Sequence, residues 1–107
     1  MMLTRSYRDT INERALEDNA FATALLDEAI SLFLNGESDM ARLILRDLVN
    51  ATVGFEELAL AVNKPSKSLH RMLSAKGNPT MDNLTKIFSV LKNRLRVDFE
   101  VHTVAHA

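Results

Sequence analysis

The chain has 107 residues, 47% hydrophobic and 25% charged, with thirteen lysines and arginines against fourteen acids and a formal net charge of -1. That length gives one domain with a modest core, too short for two, and the composition excludes collagen-like, mucin-like and disordered classes. The absence of cysteine excludes disulfide scaffolds, thiolate catalysis and Cys-ligated metals as well.

The start, MMLTRSYRD, has no apolar signal-peptide core, and the most apolar windows, LLDEAISLFL and LILRDLV, are broken by charge well short of a membrane span. The cytoplasm is the expected compartment. Thr10-Ile-Asn-Glu13 has the form of a capping box, in which side chains satisfy the orphan amides of a helix start, and it predicts a short helix over 6–17. Asp18 is placed to cap a second helix in which Phe21, Leu25, Ala29, Leu32 and Phe33 recur at helical spacing until Gly36. Ser38 or Asp39 opens a third, with Met40, Leu43, Ile44, Leu48 and Ala51 on its apolar side, and Gly54 breaks it.

Phe55, Leu58, Ala59 and Val62 stand at i, i+3, i+4 and i+7, which predicts a short helix with one apolar face. Asn63-Lys64-Pro65 ends it: asparagine tolerates positive φ, and proline cannot continue the incoming helix but fits the start of the next. The outgoing helix, over 66–75, divides into a buried side of Leu69, Met72 and Leu73 and an outer side of Ser66, Lys67, His70, Arg71 and Ser74. Gly77 is expected to cap its end. Asn78-Pro79 turns the chain, and Thr80 caps a further helix through Leu84, Ile87, Phe88 and Leu91.

Charge is divided along the chain. Residues 1–57 hold five cations against eleven acids, whereas residues 58–96 hold eight cations against Asp82 alone. A basic half suits a polyanion; a solvated basic face with no ligand is the plainer reading. Two short helices joined by a tight turn, the second exposing hydrogen-bonding and cationic groups, form the pattern that seats its second helix in a DNA major groove. Ser66, Lys67 and His70 are placed to reach base edges, and Arg71, Ser74, Lys76, Asn78 and Thr80 complete the candidate DNA-binding set, with lysine and arginine neutralising phosphates. His70 reads equally as an ordinary exposed histidine, and the two helices as a structural hairpin.

The segment FEELALAVNKPSKSLHRMLSAKGNPTMDNLTKIFSVL resembles the repressor-type helix-turn-helix of phage repressors. It is most similar to the HigA-like addiction-module antidote proteins through Leu58-Ala59, Ser68-Leu69, Gly77-Asn78-Pro79-Thr80 and Leu84. Asn63, Lys64, Pro65 and Ser66 depart from that family's usual residues. The resemblance covers residues 55–91. It implies an antitoxin that holds a RelE-like, RNA-cleaving toxin, a small basic protein, and represses its own operon. A stand-alone regulator, or a protein-interaction module with a degenerate helix-turn-helix, are the other readings.

From Leu95 the sequence alternates apolar and polar residues through His102, the period of a half-buried strand. A lone strand must pair with another chain or lie over its own core. The expectation is a strand over 94–102 that pairs with a second copy, placing Val97, Phe99 and Val101 in a homodimer interface.

Catalysis is not expected. The sequence has no nucleophile elbow, phosphate-cradling loop or HExxH pattern. Ser68 and His70 are two apart on a helix and diverge, and His102 and His106 have metal-ligand spacing only if helical. No cofactor or metal is expected. The predicted architecture is a single domain over 1–107, all-α: N-terminal helices in 1–36, a repressor-like helical core over 38–91 with its helix-turn-helix at 55–75, and one C-terminal strand.

Overall fold

The computed structural model describes residues 19–106. Among them the helices are α1 (Asn19–Leu34), α2 (Ser38–Ala51), α3 (Phe55–Val62), α4 (Ser66–Met72) and α5 (Met81–Leu95). The described chain is all-helical, as the apolar periodicity predicts. The helix expected over 6–17, the capping box at Thr10 and Glu13, and the cap at Asp18 lie outside the described residues.

One buried cluster joins all five helices, with Leu26, Leu45, Leu48, Leu58, Leu69, Leu73, Ile87 and Leu91 fully enclosed. Each such side chain stabilises the fold by roughly 1.5–3 kcal/mol relative to exposure. In α1 and α2 the innermost line keeps Ala29, Leu48 and Ala51 of the expected stripe and elsewhere sits one position along from it. Ala22, Leu26 and Ala29 are buried in α1, while Phe21, Leu25 and Phe33 flank the cluster half-buried. In α2 the buried set is Ala41, Leu45, Leu48, Val49 and Ala51; Met40 is 54% exposed, and Leu43 and Ile44 are half-buried. Alanines among the inward-facing residues, Ala22, Ala29 and Ala41, let helices approach closely.

Three helices end alike. Gly36, Asn63 and Arg96 have φ of 88°, 55° and 57°, and the next amide in each case donates back five residues: Glu37 to Leu32, Lys64 to Ala59 and Val97 to Lys92. This satisfies carbonyls that a helix end leaves orphaned. Gly54, φ 78°, ends the turn after α2, where its amide donates to the Val49 carbonyl at 2.7 Å. At the start of α5, Thr80 is the predicted cap, its Oγ1 accepting from the Asn83 amide at 3.1 Å.

The expected strand over 94–102 is not formed. Arg94 and Leu95 belong to the last turn of α5, Leu95 is buried, and Arg96 is the left-handed residue that closes the helix. Residues 97–106 carry no regular secondary structure, because no second strand exists among the described residues to complete a ladder. Their alternating apolar side chains fall partly on the chain's own core. Val97 packs against the buried cluster, Phe99 meets Phe88 edge-to-face at 6.3 Å, and Phe88 meets Phe33 likewise at 6.0 Å. Lys92 pairs with Asp98 at 3.2 Å, and the Asn19 side-chain amide donates to the Leu95 carbonyl at 3.2 Å. Of the expected dimer residues, Val97 and Phe99 thus touch their own chain, and Val101 is 64% exposed.

No helix among the described residues is long and apolar enough to cross a membrane.

Candidate nucleic-acid interface

The basic segment is presented by α3, a three-residue turn and α4. Phe55, Leu58 and Val62 anchor α3 in the core, and Leu69 and Leu73 anchor α4 and its end. Between them Asn63 takes the left-handed conformation that its short amide side chain tolerates. Pro65, at φ -62° and ψ 139°, stands as the N-cap of α4, and its carbonyl accepts from the Ser68 and Leu69 amides at 3.0 and 3.3 Å. The turn joins the two helices within three residues, and the burial of Leu69 and Leu73 fixes which side of α4 faces outward.

That outward side carries Lys67, His70 and Arg71, all exposed, with Ser66 half-buried at its start. Lys76 and Asn78 are exposed on the connection that follows. No acid occurs from residue 58 to residue 81, so these cations have no carboxylate within their own segment. The geometry therefore gathers hydrogen-bonding and cationic groups on one side of a short helix and on the loop beside it, a combination suited to phosphates and base edges.

Three members of the expected set are more constrained than their spacing suggests. The imidazole of His70 stacks on Phe55, ring centroids 3.9 Å apart and planes 19° apart, leaving its edge and opposite face outward. Ser74 lies just beyond α4, where its hydroxyl donates to the Arg71 carbonyl at 2.8 Å, an intrachain role that competes with ligand contact. Thr80 uses its oxygen as the α5 cap, although its hydroxyl proton remains able to donate.

Two further residues shape the interface without standing on it. Arg42 of α2 is 6% exposed and reaches the end of α4: Nε donates to the Ser74 carbonyl at 3.0 Å and Nη2 to the Ala75 carbonyl at 2.8 Å. Its remaining contacts are Nη2 to Asp39 Oδ1 at 3.0 Å and Nη1 to Ser38 Oγ at 3.3 Å. Gly77, expected to cap the end of α4, is not at positive φ; it is glycine because a Cβ there would collide with the carbonyls of Met72 and Arg71, the latter at 2.6 Å. An arginine between Ala41 and the apolar Leu43-Ile44-Leu45 run is the one local sign of the buried guanidinium.

No group of His, Asp and Glu side chains able to hold a metal occurs among the described residues. In comparisons with known proteins, no family model, curated protein or solved structure matches the chain.

Proposed function

We propose that the chain is a cytoplasmic DNA-binding transcriptional regulator whose α3 and α4 form a repressor-like helix-turn-helix, acting as a homodimer and as the antitoxin of a toxin–antitoxin module. The observation that carries the DNA reading is the outward side of α4, where Lys67, His70 and Arg71 stand exposed behind a three-residue turn, in a segment with no acid from residue 58 to residue 81. In this reading α4 enters the major groove, Ser66, Lys67 and His70 meet base edges, and Arg71 and Lys76 neutralise phosphates. The toxin partner rests on the resemblance of residues 55–91 to the HigA-like antidotes and on the acidic surplus of residues 1–57, which complements a small basic protein.

A titration against the DNA upstream of the chain's own gene, with and without the neighbouring gene's product, tests both parts. Salt-sensitive binding that prefers this DNA over a scrambled duplex is expected. Equal affinity for both duplexes removes the operator reading, and failure of the tagged chain to retain a small basic protein leaves a stand-alone regulator. Because α1 supplies Ala22, Leu26 and Ala29 to the core, deleting residues 1–36 would unfold the domain. The acidic surface is better tested by Asp27→Lys with Glu28→Lys, both exposed on α1, which should weaken toxin capture and leave DNA binding in place.

A further inference from the structure

We propose that Arg42 is a positioning residue for the basic face: its buried guanidinium fixes the end of α4 and the loop that carries Lys76 and Asn78. The inference rests on the DNA reading for its functional consequence, though the contact itself does not. A guanidinium removed from water destabilises a fold unless its donors are satisfied, and here Nε, Nη1 and Nη2 all have acceptors. Two of those acceptors are main-chain carbonyls, 32 and 33 residues away, at the point where α4 gives way to the loop. An apolar side chain would fill the same space without holding either carbonyl.

The loop has few other restraints. Over residues 73–79 the remaining hydrogen bonds are local: Leu73 to Leu69, Ser74 to Arg71, and Gly77 to the same Ser74 carbonyl that Arg42 holds. Arg42 is the one side chain from outside the segment hydrogen-bonded to it among the described residues. Its planar fork addresses successive carbonyls, which sets the direction of the chain there as well as its distance from α2. Phosphate and base contacts made from Arg71 on α4 and from Lys76 beyond it require both to keep one mutual geometry. Lysine at position 42 would keep the charge but not the fixed, planar arrangement of donors.

Arg42→Lys and Arg42→Met test this in two measurements. In the free protein, amide hydrogen exchange at residues 73–78 should accelerate by about tenfold or more in both variants, while amides of α1 and α5 keep their protection. Exchange unchanged at Gly77, or accelerated equally throughout the domain, overturns the positioning role whatever the chain binds. With DNA, affinity for the duplex upstream of the gene should fall by about tenfold in Arg42→Lys, and affinity for scrambled duplex, which depends on charge, by less than about threefold. Equal losses on the two duplexes overturn the functional consequence. A wild-type chain that binds neither duplex removes the DNA reading and leaves the exchange result to decide whether Arg42 holds the loop.

Discussion

His70 of α4 lies flat on Phe55, the first residue of α3, at a centroid separation of 3.9 Å. The stack joins the two helices across their turn, and Leu58 and Leu69 are both buried in the common core. Stacked rings contribute about 0.5–1.5 kcal/mol beyond their burial, so His70→Ala should lower unfolding stability by about 1 kcal/mol and Phe55→Ala by about 3–5 kcal/mol. Urea unfolding of both single variants and the double variant should give a coupling of about 0.5–1.5 kcal/mol. Purely additive losses would show that the stack does not link the helices.

The exposed cations should make binding depend on salt. If each subunit of a dimer neutralises about three phosphates, log K should fall with log salt at a slope of about -5, and Arg71→Ala should flatten it by about 1 to 2 on every sequence. Ser66→Ala with His70→Ala should instead alter which sequences bind, at about 1–3 kcal/mol per lost base contact. Titrations at several salt concentrations on two duplexes separate these effects; an affinity indifferent to salt would count against any polyanion.

Gly77→Ala should be the most damaging of the glycine exchanges. Its new methyl group would press on the main-chain carbonyls of Arg71 and Met72, which cannot swing aside as a side chain can. A loss of about 1–3 kcal/mol is expected, or about 4–20 °C in Tm. At Gly36 and Gly54 nothing stands within 4 Å of the added Cβ, and only the positive φ opposes alanine, at about 1–2 kcal/mol. Equal Tm losses at the three sites would contradict the close approach at Gly77.

Dimerisation through the tail is best tested at Val101. Phe99→Asp would also remove the contact with Phe88, so its effects mix fold and assembly. Val101, 64% exposed and outside the buried cluster, can be changed to aspartate with a stability change within about 0.5 kcal/mol. If the tails pair across a two-fold axis, Val101→Asp should sediment as a folded monomer with much reduced operator affinity, because each half-site loses its linked neighbour. The amides of Arg96 and Val97 already donate to Lys92, so pairing would start at Asp98. A persistent dimer would place the interface elsewhere.

Much of this arrangement was legible in local sequence. Gly36, Gly54, Asn63, Pro65 and Thr80 mark helix borders through conformations or caps that their own chemistry favours, and all five stand where expected. The phase of α1 and α2 was legible only in part. Ala29, Leu48 and Ala51 are buried as expected, but α1 is apolar around much of its circumference, and packing selects which line faces inward. Arg42 escaped for a related reason: its acceptors are main-chain carbonyls 32 and 33 residues on, and a carbonyl leaves no mark in the sequence. The tail misled because period-two alternation reports one buried face, which an irregular segment lying on its own core satisfies as well as a strand.

The shared helix ending has a consequence for engineering. Of Gly36, Asn63 and Arg96, only the first is the residue with no steric objection to positive φ. Arg96 carries a full side chain into the left-handed region at about 1–2 kcal/mol, whereas glycine there would add about 0.5–1 kcal/mol of unfolded-chain entropy. Arg96→Gly should therefore raise thermal tolerance slightly from a solvent-exposed position that no core contact depends on. Asn63→Gly gains less, since asparagine already suits the region. The protein thus has room to become more robust at the far end of α5.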